Sequence, residues 1–472
     1  MSEVAAPGLF DRAIRRLTAA WRDMAAGVAE EDDSIEAQMR SCLRARGGEI
    51  SARNRAARLA QTYLGLDDTG RQDFLRTLAT FDSDPDAVAT AYAAVQEAPD
   101  PAARAVAQAS LRRTLEPPRL KLLTQFTTIP DGRKFLVDLR AFLLDHRKQD
   151  ALLAALESDL RGLLAAWFDI GFLELQRIDW SSPASLLEKL VGYEAVHEIR
   201  SWRDLKNRLD SDRRCYAFFH PRMPTEPLIF VEVALVKGLA GSVQRLLDQK
   251  EPVLDPREAD TAIFYSISNC QRGLARISFG NFLIKRVAEE LSGEFRNLRT
   301  FATLSPVPGF RAWLDARLAA GQPALLTEEE AGALQAALPA ETAPGLAELL
   351  GRRGWFREPI LLRVAEAPLM RLCAQYLLTE SNGRRARDPV AHFHLSNGAR
   401  LERINMGGDT SDKGVKEGAT VMVNYLYDLA KIDDWHEDYA GEGKRNASTA
   451  VRRLLTGAQW SVVGGQSLRR RP

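Results

Sequence analysis

One stretch decides the fold class: Thr261-Ala-Ile-Phe-Tyr-Ser-Ile-Ser268, continued by Asn269-Cys-Gln-Arg-Gly-Leu-Ala-Arg-Ile-Ser-Phe-Gly280. The first run is rich in β-branched and aromatic residues, which predicts a strand. The second run has loop character, and an amphipathic helical pattern starts at Asn281, directly after the glycine. A strand, a loop and a helix in this order are typical of a domain in which helices pack on a sheet.

The loop between this strand and this helix is a candidate anion site. A helix N-terminus presents unpaired backbone N–H groups and a partial positive charge, and Gly280 would allow a phosphate to approach closely. Arg272 and Arg276 could add charge-assisted contacts. The same spacing also fits a routine connection between a strand and a helix. The local sequence leaves both interpretations open.

Further β-branched and aromatic runs after residue 183 predict more strands. Two helical patterns lie between them, Gly238–Gln249 and Gly280–Leu291. Strands that alternate with helices predict an α/β or α+β domain built on a mixed sheet. The predicted strands are 214–220, 227–236, 261–268, 389–395, 400–405 and 420–429.

The N-terminal part of the chain has a different character. It is rich in Ala, Leu, Arg and Glu, which are strong helix formers, and its apolar residues recur at steps of three and four. Breaks such as Gly47–Gly48 and Pro117–Pro118 divide it into a bundle of helices. The composition changes after Trp180-Ser-Ser-Pro183. We therefore predict a helical packing or oligomerisation domain over residues 1–180 and a catalytic domain over residues 181–472.

The charge balance excludes several classes of partner. The 472 residues carry 64 basic and 63 acidic side chains, a formal net charge of +1. We therefore expect neither a nucleic acid nor an anionic membrane as a partner. The four cysteines are scattered, which is typical of reduced thiols in a cytosolic protein. No signal-peptide pattern and no apolar run of membrane-spanning length occur, so we expect a cytoplasmic protein.

A proline-rich loop presents a serine. In Leu304-Ser-Pro-Val-Pro-Gly309 the residue before Pro306 is biased toward extended geometry, and a second proline stiffens the loop behind it. The Ser305 hydroxyl is therefore expected to have a fixed direction. A turn in which this serine only satisfies a backbone group is the alternative. No G-x-S-x-G pattern surrounds it, which argues against a hydrolase nucleophile.

A histidine pair precedes a turn signal. Asn397-Gly398 lies between two alternating runs and predicts a two-residue hairpin. On the first predicted strand His392 and His394 share one face. Such a pair can ligate zinc, can supply an acid–base group or can be structural. No Cys, Glu or third His stands nearby in the sequence to complete a zinc site, so we expect no metal.

Taken together, these segments resemble the malonyl-CoA decarboxylase family. The resemblance spans roughly residues 130–429. It is specific, because several unrelated strings occur in the family's order. The strings are KFLVDLRA, WFDIGFLELQRIDWSSP, YEAVHEIRSWRDLKNRL, TAIFYSIS, FGNFLIKRV, LSPVPGF, APLMRLCAQYL, HFHLSNGARLERIN and VMVNYLY.

The resemblance implies an α+β protein with an N-terminal all-helical domain and a catalytic domain similar to the GNAT acetyltransferases. It places the CoA pyrophosphate on the loop from Ala275 to Asn281. The usual GNAT loop has a basic residue where Ala275 stands and a glycine where Ser278 stands, so the generic GNAT pattern is only partly met. The implied CoA-binding and substrate-binding residues are Ala275, Arg276, Ile277, Ser278, Phe279, Gly280, Asn281, Ile284, Ser266, Asn397 and Tyr427.

The implied activity is decarboxylation of malonyl-CoA to acetyl-CoA, with Ser305 and His394 as the catalytic residues. Because the thioester itself accepts the electrons released with CO2, no cofactor is expected beyond the CoA of the substrate. In this hypothesis Ser305 binds the malonyl carboxylate and His394 protonates the α-carbon. A GNAT-type N-acyltransferase and a non-catalytic acyl-CoA sensor are the alternatives. A homo-oligomer built through the helical domain is also expected.

Overall fold

A mixed eight-stranded sheet organises the second part of the chain. The computed structural model describes residues 21–24, 34–44, 48–277, 283–320, 325–338 and 345–456. Its strands are β1 Glu174–Ile178, β2 Arg213–His220, β3 Met223–Val236, β4 Thr261–Asn269, β5 Thr300–Thr303, β6 Ser305–Pro306, β7 Ser381–Asn382, β8 Arg385–Ala386, β9 Arg400–Asn405 and β10 Met422–Tyr427. The sheet has the order β1-β2-β3-β4-β5-β10-β6, β9 pairs with β10, and β7 and β8 form a separate two-stranded sheet.

The helices flank these strands and fill the N-terminal part of the chain. Short 3₁₀ turns occur at 126–128, 147–149, 170–172, 256–258, 272–274 and 355–357. The α-helices are α1 Ile35–Leu43, α2 Glu49–Gly65, α3 Asp68–Ala79, α4 Pro85–Glu97, α5 Pro101–Thr114, α6 Pro118–Gln125, α7 Gly132–His146, α8 Ala151–Trp167, α9 Ala184–Tyr193, α10 Trp202–Arg208, α11 Val243–Leu246, α12 Leu283–Glu294, α13 Phe310–Ala319, α14 Glu328–Ala337, α15 Leu346–Gly351, α16 Pro359–Thr379, α17 Pro389–Ser396, α18 Asp412–Gly418, α19 Ile432–Glu442 and α20 Thr449–Thr456.

The predicted strand–loop–helix unit forms the parallel part of the sheet. β4 runs parallel to β5, pairing Thr261 with Thr300 through Phe264 with Thr303. Parallel neighbours need a crossover between them, and α12 lies in that crossover. β10 pairs with β5, β6 and β9 in the antiparallel direction. The predicted α+β class with a mixed sheet is therefore confirmed.

A buried apolar cluster lies against the middle of this sheet. It combines side chains of β3, β4, β5 and β10 with those of α11. Each large aliphatic side chain buried in this way contributes about 1.5–3 kcal/mol. Its members are Ala234, Val243, Leu246, Ile263, Tyr265, Ala302, Leu304 and Met422.

The chain divides into two compact units. Of the described residues, the first unit contains those within 1–174, 219–228 and 270–278, and the second contains those within 175–218, 229–269 and 279–472. In the first unit Phe135 meets Trp21, Tyr63 and Phe126 edge-on at 5.0–5.6 Å between ring centroids. The prediction of a helical packing or oligomerisation domain over residues 1–180 and a catalytic domain over residues 181–472 stays a prediction.

The structure corrects one helix prediction and confirms another. Between Gly238 and Gln249 the only helix described is the single turn Val243–Leu246, because Gly238 has a φ of 71° and the chain stays irregular up to Ser242. In α12 the apolar residues at steps of four, Leu283, Val287 and Leu291, are buried as predicted. The four cysteines are free and buried. None of the described helices has both the length and the apolar character that a membrane crossing requires.

Candidate active site

Ser305 lies where the sheet changes partners. β5 ends at Thr303, and β6 begins at Ser305, which pairs with Val423 of β10. The amide of Leu304 donates to the Phe264 carbonyl at 3.0 Å, so the backbone is held on both sides of the bend. Because side chains alternate along a strand, Thr303 and Ser305 share one face. The Ser305 side chain is buried there, with 6% of its surface exposed.

The histidine segment is a helix, so the predicted strand 389–395 and its hairpin at Asn397-Gly398 are wrong. Asp388 caps the N-terminus of α17 by accepting from the amides of Val390 and Ala391, both at 3.0 Å. Pro389 fills the first position, where its missing N–H costs nothing. Gly398, with a φ of 75°, ends the helix in the left-handed conformation.

The helix separates the two histidines instead of placing them on one face. Residues two apart on an α-helix point in nearly opposite directions. His392 is partly buried, and its Nδ1 lies 2.9 Å from the Tyr439 hydroxyl. His394 is buried with 3% of its surface exposed, and it contacts different residues. The two rings therefore do not form the zinc-type pair that the strand would have produced.

His394 and Ser305 form a hydrogen-bonded pair. Ser305 Oγ lies 2.9 Å from His394 Nε2 and donates to Thr303 Oγ1, also at 2.9 Å. On the other side of the imidazole, Nδ1 lies 2.8 Å from the Tyr427 hydroxyl. The sequence separations are 89 and 33 residues for the two histidine contacts, so tertiary folding builds this site from three separate segments.

Two tautomers of the neutral imidazole fit these contacts. In the tautomer with the proton on Nε2, His394 donates to Ser305 Oγ and the Ser305 hydroxyl donates to Thr303. Nδ1 is then an acceptor and receives the Tyr427 hydroxyl proton. In this tautomer Tyr427, His394, Ser305 and Thr303 each donate to the next residue in that order. Thr303 Oγ1 also accepts from the Tyr425 amide at 3.2 Å.

Burial controls the protonation of this group. Removal of the His394 ring from water lowers its pKa from 6.5 to about 3, because the charged imidazolium is poorly solvated there. Burial raises the pKa of the Tyr427 phenol well above its usual value. The Tyr425 ring stacks on the imidazole at 4.5 Å and 26°. At neutral pH the site therefore presents a neutral imidazole.

Two predicted binding residues have other partners in this structure. The Ser266 hydroxyl donates to both oxygens of Glu194, at 2.7 and 2.8 Å. Asn397 lies at the end of α17, where its side-chain amide donates to the Phe393 carbonyl at 2.6 Å. The third, Tyr427, contacts His394 directly. Of the three, Tyr427 alone is joined to a side chain of the Ser305–His394 pair, whereas Asn397 contacts His394 only through a backbone hydrogen bond among the described residues.

The predicted CoA loop is described only in part. Ser278, Phe279, Gly280 and Asn281 lie outside the described residues. Ala275 and Arg276 are exposed, and Ile277 is buried. Arg272, a candidate for a phosphate contact, instead forms an ion pair with Asp145. On the described part of α12, Ile284 is fully buried.

The described residues contain no cluster of three or more His, Cys, Asp or Glu side chains that could hold a metal ion. The expectation that the protein uses neither a metal nor an organic cofactor stays a prediction.

The sequence interpretation missed three residues around the pair. Thr303 receives the serine proton, Tyr425 covers the imidazole face, and Asp388 starts the helix that carries it. Asp388-Pro389 at one end and Gly398 at the other are ordinary start and stop signals of a short helix. They could have identified α17. Nothing in the local sequence indicates the roles of Thr303 and Tyr425.

Comparisons with known proteins agree on one family. The malonyl-CoA decarboxylase C-terminal domain matches residues 171–463, and the N-terminal domain of the same family matches residues 81–168. The mitochondrial malonyl-CoA decarboxylase of Anser anser anser is 37% identical over 417 residues, which are 85% of this chain and 83% of that protein. The Mus musculus enzyme is 35% identical over 421 residues, 86% of each chain.

Solved structures give the same result. The crystal structure of malonyl-CoA decarboxylase from Rhodopseudomonas palustris is 40% identical, covers 90% of this chain and 100% of its own, and has a TM-score of 0.80. That from Agrobacterium vitis is also 40% identical, with coverages of 89% and 99% and a TM-score of 0.80. The resemblance found in the sequence is thereby confirmed, and the chain belongs to the malonyl-CoA decarboxylase family.

Proposed function

We propose that this chain decarboxylates malonyl-CoA to acetyl-CoA and CO2, with Ser305 and His394 as the catalytic residues. The observation that carries the proposal is the buried Ser305–His394 hydrogen bond of 2.9 Å, found in a member of this family. Buried polar groups held in one geometry by further partners are typical of catalytic sites. Thr303 and Tyr427 provide those partners here.

The chemistry demands little beyond such a site. Loss of CO2 from the malonyl group leaves an electron pair that the thioester carbonyl accepts, giving an enolate. An enzyme accelerates this step by stabilising the developing oxyanion with preorganised donors and by moving the carboxylate out of water. A proton must then be added to the α-carbon. Malonyl-CoA and one proton give acetyl-CoA and CO2, so the reaction balances without an oxidant or reductant.

The geometry supports a division of roles. Ser305 hydrogen-bonds the malonyl carboxylate in exchange for one of its present partners. The Nε2–H of neutral His394 faces the enolate, where it stabilises the oxyanion and gives its proton to the α-carbon. The Tyr427 hydroxyl donates to Nδ1, which keeps the transferable proton on Nε2, and a proton from solvent restores the imidazole after the product leaves. A positioned donor of this kind typically contributes about 10²–10⁴ in rate.

The remaining contacts of the substrate follow from the family resemblance. We assign the CoA pyrophosphate to the loop Ala275–Asn281 and the start of α12 up to Ile284, with Ser266 and Asn397 as further contacts. The GNAT-like description of the catalytic domain belongs to the same proposal, and the parallel β4–β5 pair followed by a loop and α12 is the feature that supports it. A crystal structure with acetyl-CoA would test all of these assignments together.

Self-association through the helical part is also proposed. The neighbouring helices α4 and α5 contain no buried residue, and Tyr92, Val106 and Leu115 are 48–71% exposed on or beside them. Short helices are marginal in water unless an apolar face is covered, which favours a second copy as the cover. Light scattering would measure the assembly.

A cytoplasmic location remains part of this proposal; the named vertebrate relatives are mitochondrial.

The test of the proposed reaction uses malonyl-CoA without an acceptor amine. The wild-type protein should release CO2 and form acetyl-CoA in equal amounts. His394→Asn and Ser305→Ala should each lower kcat by about 10²-fold or more while CoA still binds. His392→Asn and Ser292→Ala are matched controls, since both side chains bond elsewhere. Wild-type protein that binds malonyl-CoA but needs an amine for turnover would instead indicate an N-acyltransferase.

A further inference from the structure

Asp388 hydrogen-bonds to two segments at once. One carboxylate oxygen, Oδ1, caps α17 through the amides of Val390 and Ala391. The other oxygen, Oδ2, accepts from the amide of Gly309 at 3.2 Å. The side chain is buried, with 1% of its surface exposed. A single carboxylate therefore joins the start of α17, the helix that carries His394, to the serine loop, which comprises residues 305–309.

Each of these two segments carries one member of the catalytic pair. Gly309 follows Ser305 by four residues, and Pro306 and Pro308 restrict the backbone between them. His394 follows Asp388 by six residues on the same short helix, which is less than two turns. A displacement of either end relative to Asp388 therefore changes the position of one member of the pair relative to the other.

A tyrosine completes the junction. The Tyr376 hydroxyl donates to the Asp388 carboxylate and lies directly against Gly309. A Cβ atom on Gly309 would come within 2.2 Å of that hydroxyl, which is far below van der Waals contact. Gly309 has a φ of −92°, so space and not backbone conformation requires the glycine here.

We propose that Asp388 is a positioning residue that sets the spacing between Ser305 Oγ and His394 Nε2. The consequence for turnover rests on the proposed decarboxylation. A carboxylate suits this position because each of its two oxygens accepts hydrogen bonds from a different segment. An amide or a hydroxyl can cap the helix equally well, but each offers only one oxygen atom as an acceptor.

The variant Asp388→Asn separates the two functions of the side chain. Its amide oxygen can still cap α17, whereas its NH2 group cannot accept from the Gly309 amide. We expect kcat for malonyl-CoA to fall about tenfold to a hundredfold, with KM changed by no more than about twofold. Asp67→Asn is the matched control, because Asp67 caps α3 through the Gly70 amide at 2.8 Å and, within the part of the chain that the structure describes, joins no second segment.

A second series covers the case in which Asp388→Asn does not fold. Gly309→Ala should lose activity, because its methyl group displaces the serine loop from Tyr376. Tyr376→Phe removes the obstructing oxygen, after which the nearest atoms in the present geometry are Cζ at 3.3 Å and Asp388 Oδ2 at 3.4 Å. The double variant should therefore be more active than Gly309→Ala alone, by about tenfold. Simple loss of stability predicts the opposite order, since each change removes contacts.

The outcomes distinguish this proposal from the proposed reaction. A wild-type protein that releases no CO2 from malonyl-CoA contradicts the reaction, and a crystal structure of Asp388→Asn then decides the positioning by itself. The Ser305 Oγ to His394 Nε2 distance should exceed its present 2.9 Å and reach at least about 3.5 Å. An unchanged distance, an unchanged kcat in Asp388→Asn, or a double variant no more active than Gly309→Ala would overturn the role of Asp388.

Discussion

The pH dependence of turnover tests the protonation state of His394 directly. The perturbation is acidification from about pH 7.5 to about pH 5 with saturating malonyl-CoA. If His394 had its ordinary pKa, only about 3% of the ring would be neutral at the lower pH, and a reaction that needs the neutral form would slow about thirtyfold. Burial lowers that pKa to about 3, so the ring stays almost wholly neutral at both values.

We therefore expect kcat to change less than about twofold across this range. The assay is the release of labelled CO2 from malonyl-CoA carrying the label in its free carboxylate. Circular dichroism at each pH confirms that the protein remains folded, and the His392→Asn variant controls for the neighbouring half-buried histidine. A thirtyfold loss of kcat with a midpoint near pH 6.5, in folded protein, would refute the neutral-imidazole mechanism.

Two further predictions follow from the same contacts. Tyr427→Phe leaves His394 Nδ1 buried without its 2.8 Å partner. Because an unpaired buried group costs about 1–3 kcal/mol, kcat should fall about fivefold to 150-fold. The control Tyr439→Phe breaks the comparable bond to His392 and should leave kcat nearly unchanged. Stability should also depend on His394: the unfolded ring binds a proton below about pH 6.5, whereas the folded ring, with its pKa lowered to about 3, does not. The unfolded state is therefore favoured by acid, and between about pH 7.5 and pH 5 the free energy of unfolding should drop by about 2 kcal/mol on account of this residue. Urea unfolding at both pH values should show a smaller drop in His394→Gln, and an equal drop would contradict the burial effect.

The catalytic pair was accessible from the sequence, but only through family resemblance. Ser305 and His394 are 89 residues apart, and the residues around each of them also fit a purely structural role. Strand β4 was predicted from its β-branched and aromatic residues, and the apolar positions of α12 were predicted from their four-residue steps, which reflect burial on one face. The run 389–395 was predicted to be a strand, but it forms a helix. Short apolar runs fit a strand and a buried helix equally well, and the Asn-Gly signal after it belongs to a helix terminus here.

The amino-acid sequence by itself determined the mixed sheet, the helical N-terminal part and the identity of the family, because these depend on local patterns and on the order of specific strings. Only the tertiary structure decided that Tyr427 meets His394, that Asp388 holds both Gly309 and α17, and that the imidazole is neutral. Hydrogen bonds between distant segments and the loss of solvation in a closed core arise from the assembled fold. No short segment of the sequence shows either the long-range hydrogen bonds or the loss of solvation.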